Sequence, residues 1–114
     1  MSQISTHILD TARGCPAAGV TLSLHRISDT GERRQLAEAV TNDDGRAGNL
    51  LSREVVLEAG AYCLHFDTAA YFEGLGLEAF YPFVEVVFRI DAGGRHYHVP
   101  LLLSPFGYST YRGS

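Results

Sequence analysis

The chain contains no lysine and no excess of positive charge. All nine basic residues are arginines, against 13 acidic residues, and the net charge is −4. A nucleic-acid-binding protein normally has a basic excess, so the composition disfavours that class. No apolar run approaches the ~20 residues that cross a bilayer, and no membrane partner is expected. The opening residues, MSQISTHILD, lack the pattern of a secretory signal, so we expect a cytoplasmic protein.

Cysteine is also scarce. Cys15 and Cys63 form neither a close pair nor a spacing typical of metal ligands, so we expect two reduced cysteines in packing roles. The rest of the composition is that of a folded protein, with 114 residues, 46% of them hydrophobic and 19% charged. A chain of this length fits one domain. We therefore expect a single domain over residues 1–114.

Turn signals rich in glycine, aspartate and proline recur at short intervals along the chain. The segments between them are short and either alternate or run apolar, which is typical of an all-β sandwich or barrel. The pattern predicts eight strands, near 4–10, 19–27, 33–41, 53–58, 61–66, 83–90, 95–103 and 106–112. One further segment, 67–76, predicts a two-turn helix, because Asp67 is a good N-cap and a closing glycine suits the position after the helix.

The alternation within strands predicts which faces are buried. In 19–27, Val20, Leu22 and Leu24 share a core face, and His25 lies on the opposite, solvated face. The segments 83–90 and 99–103 are apolar on both faces. A sandwich strand needs only one apolar face, so these two segments suggest contact between subunits.

Three histidines are candidates for chemistry. His96 and His98 lie two residues apart and so share one strand face, while His7 shares a face with Leu9. These positions are compatible with general acid–base work by His7 or His98. They are also compatible with a zinc site made by His7, His96 and His98, or with purely structural histidines. The residues alone leave these three interpretations open.

Three stretches carry a family resemblance. They are His7-Ile8-Leu9-Asp10 with Arg13-Gly14-Cys15-Pro16, then Asp44-Gly45-Arg46, and then His96-Tyr97-His98-Val99-Pro100-Leu101-Leu102-Leu103-Ser104-Pro105 with the final Tyr111-Arg112-Gly113-Ser114. On these motifs the chain resembles the 5-hydroxyisourate hydrolases, or transthyretin-related proteins. The resemblance extends over nearly the whole chain, and the last motif is the most specific because it combines residue identity, spacing and position.

The resemblance implies an eight-stranded transthyretin-like (prealbumin-like) β-sandwich with one short helix. It implies a homotetramer, built as a dimer of dimers, with active sites in a central channel between subunits. The implied reaction opens the lactam ring of 5-hydroxyisourate during urate degradation, without a metal or other cofactor. The family's catalytic residues carry over onto His7, Arg46 and His98. Its substrate-binding residues carry over onto these three and onto Tyr111, Arg112, Gly113 and Ser114.

Two alternatives accompany this interpretation. Transthyretin itself, a carrier of thyroid hormone, has the same fold, but it looks to have a lysine at the position of His7, a glutamate at that of Arg46 and an unrelated tail. The second function to consider is therefore a carrier of small aromatic ligands. The third is a zinc-dependent hydrolase that uses His7, His96 and His98.

Overall fold

Two packed β-sheets and one short helix make up the protein. The computed structural model describes residues 2–114. The elements are β1 (Ile4–Asp10), β2 (Cys15–Pro16), β3 (Thr21–Ile27), β4 (Arg33–Val40), β5 (Arg46–Ala47), β6 (Gly60–Phe66), α1 (Thr68–Gly74), β7 (Val84–Ile90), β8 (Tyr97–Ser104) and β9 (Gly107–Thr110). One sheet has the order β2-β1-β8-β9, with β5 also pairing with β1, and the other has the order β4-β3-β6-β7. The predicted all-β sandwich with one helix is confirmed.

The core lies between the two sheets, and the central strands β3 and β8 contribute alternate side chains to it. Leu22 and Leu24 of β3 are almost fully buried, together with Val20 just before the strand, as the alternation predicts. On β8 the core-facing side chains Tyr97, Val99, Leu101 and Leu103 are buried, and Pro100 on the opposite face is buried as well. The other face of β8 therefore carries His98 and its alternate neighbours away from the core.

The predicted strand at 53–58 is wrong. Residues 53–58 form a turn and irregular backbone, and Val56 is 65% exposed. The Leu57 amide donates to the Gln3 side-chain oxygen at 2.8 Å. A side chain therefore accepts this hydrogen bond in place of the backbone carbonyl of a neighbouring strand. Two strands of two residues each, β2 and β5, were not predicted. They form only because both lie along the same edge of β1.

The predicted glycine at the C-terminal end of the helix is confirmed, whereas the predicted N-cap role of Asp67 is wrong. Gly76, at φ 73°, donates to Glu73, and Leu77 donates to Phe72, which is the Schellman pattern that a glycine favours. At the other end, Asp67 makes no side-chain cap, because its carboxylate lies 3.2 Å from His65 Nε2 instead. Phe72 anchors the helix in the core. Within residues 2–114 no helix has the length and hydrophobicity needed to cross a membrane.

The predicted packing role of the cysteines holds fully for one of them. Cys63 is completely buried, while Cys15 on β2 is partly exposed. Both thiols are free, and burial raises the pKa of the Cys63 thiol. A buried thiol with a raised pKa is a poor nucleophile, so Cys63 is a packing residue.

Parallel pairing of β1 with β8 determines what lies on the outer face of the first sheet. The two strands pair over the whole of β1, with Ser5 opposite His98 and His7 opposite Pro100. On the other edge of β1, antiparallel pairing with β5 sets His7 opposite Arg46. Residues paired across strands point to the same face, so these polar side chains meet on one surface.

The turn before β5 positions Arg46 on that surface. The Asn42 side-chain oxygen accepts from the amides of Asp44 and Arg46, at 2.9 and 3.0 Å. Gly45 has φ 73°, and its carbonyl accepts from the Ile8 amide at 2.8 Å. A Cβ at this position would overlap the Ile8 carbonyl oxygen, so only glycine fits between the turn and β1.

Substituting Gly45 tests this close approach. We expect Gly45→Ala to lower the free energy of unfolding by roughly 2–5 kcal/mol, since a left-handed backbone and an overlap with backbone atoms both penalise it. Gly31→Ala is the matched control, because Gly31 has φ 87° but open space around its Cβ position. That variant should lose only about 1–2 kcal/mol. Equal losses in urea unfolding would show that the contact with β1 does not matter.

Candidate active site

A cavity of about 270 Å³ opens on the outer face of β1 and β8. Its lining consists of Ser5, Thr6, Arg46, Gly48, His96, His98 and Ser114. Three of the residues predicted for the site, Arg46, His98 and Ser114, are thus brought together from a turn, a strand and the C-terminal tail. The weaker candidate His96 joins them.

His98 is half-buried in this cavity and its Nδ1 atom is occupied. Ser5 Oγ lies 2.8 Å from Nδ1, which leaves Nε2 as the ring nitrogen without an assigned partner. Burial lowers the pKa of His98 below its ordinary 6.5, and Coulombic interaction with the Arg46 guanidinium, followed by that with His96 and His7, lowers it further. The imidazole is therefore neutral at neutral pH, which is the form that accepts a proton.

His7 and Arg46 are the other two residues predicted to be catalytic. They are direct cross-strand partners, so their side chains leave neighbouring backbone positions toward the same face. Arg46 is exposed and lines the cavity, whereas His7 is half-buried beside it. Among residues 2–114 the cavity lining includes Arg46 and His98 but not His7, so two of the three predicted catalytic residues line it.

The C-terminal tail packs directly on His98. The Gly113 amide donates to the His98 carbonyl at 2.8 Å. A Cβ at position 113 would lie 2.6 Å from His98 Cδ2, closer than side-chain atoms approach one another. The glycine is therefore required for the tail to touch the imidazole and for Ser114 to reach the cavity.

Tyr111 and Arg112 do not reach this cavity within the chain. The Arg112 guanidinium carbon lies 4.8 Å from the centre of the Tyr97 ring, a cation–π contact on the other side of the sheet. Both residues line a second cavity, of about 310 Å³, between β7 and the β8–β9 edge. In the tail, Gly113 and Ser114 therefore lie close to His98, whereas Arg112 lies away from it.

The histidines do not adopt the arrangement of a three-histidine zinc site. His96 Nε2 lies 2.9 Å from the same Ser5 hydroxyl that contacts His98. The two rings are nearly parallel, with their centres 6.5 Å apart, and the point on which their nitrogens converge is occupied by the Ser5 hydroxyl. Among residues 2–114 no group of three or more histidine, cysteine or acidic side chains could hold a metal ion. The geometry favours acid–base work over a three-histidine zinc site.

Three lining residues were missed by the sequence analysis: Ser5, Thr6 and Gly48. The sequence could have indicated Ser5 as a site residue, because it lies two residues before His7 and so shares its strand face. Nothing in the sequence pattern indicates that this serine contacts residues 96 and 98, which are more than 90 positions away.

The two remaining histidines lie on the outer face of the other sheet. His65 Nδ1 is 2.8 Å from Glu85, whose pKa is lowered by this hydrogen bond and by the Arg33 guanidinium 2.7 Å away. His25 Nε2 lies 2.8 Å from the Ser23 hydroxyl. His25 is half-buried rather than fully solvated as expected, and burial lowers its pKa. Neither residue belongs to the cavity beside His98.

The comparison with known families identifies the chain. Residues 4–113 match the model of the family described as Transthyretin: HIUase/Transthyretin family. The chain belongs to this family. It is 47% identical over 114 residues to the 5-hydroxyisourate hydrolase of Mus musculus, an alignment that covers 99% of this chain and 96% of the mouse protein.

Solved structures from both branches of the family resemble the chain. The 5-hydroxyisourate hydrolase of Klebsiella pneumoniae has a TM-score of 0.84 and 43% identity, covering 97% of this chain and 98% of that one. Sea bream transthyretin in complex with thyroxine has a TM-score of 0.90 and 38% identity, covering 97% and 94%. Similarity of the backbone therefore does not separate a hydrolase from a carrier, and the side chains of the site must do so.

The contact between Gly113 and His98 can be tested directly. We expect Gly113→Ala to break the bond from the residue 113 amide to the His98 carbonyl, because the new methyl group would overlap the imidazole. Amide hydrogen exchange at position 113 should then accelerate. Gly107→Ala is the control, since its Cβ would meet only the Ser104 hydroxyl, at 3.8 Å. Unchanged exchange in Gly113→Ala would contradict the close packing of the tail.

Proposed function

We propose that the chain hydrolyses the lactam ring of 5-hydroxyisourate to give 2-oxo-4-hydroxy-4-carboxy-5-ureidoimidazoline in urate degradation, with His7, Arg46 and His98 as its catalytic residues. The observation that carries the proposal is the meeting of a neutral His98 with the permanent charge of Arg46 at one cavity. Relatives of nearly equal length that are named for this activity support it.

The reaction begins with attack of water on the lactam carbonyl carbon. As the water oxygen bonds to carbon, a proton must leave it, and a neutral imidazole near its ordinary pKa is suited to take that proton. We assign this role to His98, because its Nδ1 is engaged with Ser5 and its Nε2 has no assigned partner. His7, which neighbours Arg46, then orients the water or the substrate.

Arg46 acts on the charge that develops during attack. The carbonyl oxygen becomes an oxyanion, and the guanidinium offers a fixed positive charge and a planar set of donors to it. When the carbon–nitrogen bond breaks, the leaving ring nitrogen takes the proton that the imidazole has gained. The proton taken from water is thus balanced by the proton given to the leaving nitrogen, and no step requires a metal or organic cofactor.

The tail contributes to substrate binding in this proposal. Ser114 lines the cavity and Gly113 packs on the imidazole, so both are placed to limit where a planar substrate lies. Tyr111 and Arg112 lie outside the cavity of their own chain. Their proposed role in substrate binding therefore requires the subunit assembly, in which the tail lies at a junction between chains.

We propose that residues 1–114 form a single transthyretin-like domain that assembles as a homotetramer, a dimer of dimers. Strands β9 and β7 are each one edge strand of their sheets, and edge strands are templates for pairing with another chain. Apolar side chains are exposed near both: Phe83 (46%), Val87 (57%) and Tyr108 (42%). Pairing of these edges with a second copy would bury them, as the apolar faces in the sequence suggest.

The two unpaired cysteines support a cytoplasmic location for the enzyme. A carrier of small aromatic ligands remains the second candidate, favoured by the backbone similarity to transthyretin bound to thyroxine. The site argues for the hydrolase, because a binding cavity has no need of an imidazole kept neutral beside a guanidinium. The two functions differ in whether 5-hydroxyisourate disappears faster in the presence of the protein.

Substitution of the two site histidines tests their assigned roles. We expect His98→Asn and His7→Asn each to lower the rate of 5-hydroxyisourate loss by about 10²–10⁴, equivalent to roughly 3–5 kcal/mol of barrier, because proton transfer or its orientation is lost. The measurement follows the decay of hydroxyisourate absorbance after fresh urate is oxidised by urate oxidase.

His25→Asn is the matched control for these variants. His25 is also a half-buried strand histidine with a lowered pKa and a bond to a serine, but it lies on the other sheet. Its substitution should leave the rate unchanged. Equal and small losses in all three variants would show that the wrong histidines have been assigned.

The pH dependence follows from the protonation state of His98. Because burial and neighbouring positive charge lower its pKa, the base is active above that pKa and is lost as the pH falls through it. We therefore expect kcat/KM to fall toward acid with an inflection below the ordinary value of 6.5. A rate that is flat from pH 5 to 8, or an inflection above 6.5, would contradict His98 as the base.

A further inference from the structure

Ser5 is placed to control the protonation of His98. Its hydroxyl lies 2.8 Å from His98 Nδ1 and 2.9 Å from His96 Nε2, so one oxygen connects two imidazoles. Ser5 is only 8% exposed, and the strand pairing of β1 with β8 holds it opposite His98. The register of the strand pair therefore holds the two side chains in contact.

A hydroxyl has one proton, which limits what this bridge can do. Ser5 can donate to one ring nitrogen, and it must then accept from the other. If Ser5 donates to His96, it accepts from Nδ1–H of His98, whose Nε2 then carries a free lone pair. If Ser5 donates to His98, then Nε2 of His98 carries the proton instead. Only the first arrangement lets Nε2 accept a proton, because in the second the lone pair of neutral His98 lies on Nδ1, facing Ser5.

The groups near His98 disfavour a positive charge on its imidazole ring. Arg46 on β5, His96 just before β8 and Ser114 of the tail line the same cavity as His98. His7 on β1 is the cross-strand partner of Arg46. A protonated His98 would lie beside the permanent charge of Arg46, which disfavours it. His96 is exposed, so water solvates a positive charge on its ring.

We propose that Ser5 is a positioning residue of the hydrolase, which holds His98 in the tautomer with a free Nε2 and connects it to His96 as a proton relay. The inference rests on the proposed function. When Nε2 takes a proton from water, the Nδ1 proton moves to Ser5 Oγ and the hydroxyl proton moves to His96 Nε2. His98 is then neutral, with its proton on Nε2, and His96 carries the charge. When the leaving ring nitrogen takes the Nε2 proton, the relay runs in reverse: His96 Nε2 returns a proton to Ser5 Oγ, and the Ser5 hydroxyl proton returns to Nδ1 of His98.

Serine substitutions separate this role from a structural one. We expect Ser5→Ala to lower kcat roughly tenfold to a hundredfold with little change in KM, since it removes only part of the acid–base contribution. Ser5→Thr keeps the hydroxyl and should recover most of kcat. Nitrogen NMR of the imidazole should show one tautomer of His98 in the unmodified protein and in Ser5→Thr, and a mixture in Ser5→Ala.

Ser23→Ala is the matched control. Ser23 also contacts a histidine, His25 Nε2 at 2.8 Å, and is similarly buried, but it lies on the other sheet. It should leave both kcat and the His98 tautomer unchanged. His96→Gln removes the titratable end of the relay and should lower kcat while His98 keeps its tautomer.

The outcomes distinguish this proposal from the proposed function. If the unmodified protein does not accelerate hydroxyisourate loss, the function is wrong, and the tautomer measurement still reports on the bridge. If the unmodified protein is active and Ser5→Ala keeps full kcat, the relay is wrong although the function stands. A Ser5→Thr variant as slow as Ser5→Ala, with its fold intact by circular dichroism, would also overturn the relay.

Discussion

The parallel pairing of β1 with β8 is the interaction on which the site depends. It places Ser5 opposite His98, and β5 on the other edge of β1 places Arg46 opposite His7. A shift of this register by one residue would turn every side chain of β1 to the opposite face. Burial of Ile4 and Ile8 against the core opposes such a shift, so the packing of the sandwich and the geometry of the site are enforced by the same pairing.

The chemistry of the cavity follows from partial burial next to a permanent charge. Burial and Arg46 both disfavour a protonated His98, which keeps a proton acceptor available, while the same guanidinium is available to an oxyanion. Because the backbone resembles both a hydrolase and a thyroxine-bound transthyretin, the family's fold is compatible with either function. We propose that His7, Arg46 and His98 carry the distinction.

Much of this could be predicted from the sequence, because a period of two is a local property. The alternation correctly assigns Leu22 and Leu24 to the core and sets His98 on the face opposite Val99. The bridge from Ser5 to His98 could not be predicted in that way, since it depends on which strands are neighbours. The strands β2 and β5 were missed because two residues carry no periodicity, and 53–58 was misassigned because exposed valines resemble a strand.

The central claim is that acid–base chemistry at His98 and Arg46, without a metal, hydrolyses 5-hydroxyisourate. The most direct measurement is the rate of hydroxyisourate loss at neutral pH with the purified protein in excess chelator. The account predicts loss much faster than the spontaneous reaction and equal to the rate without chelator. Activity that the chelator abolishes and zinc restores would contradict the metal-free chemistry, and no acceleration in either condition would contradict the hydrolase itself.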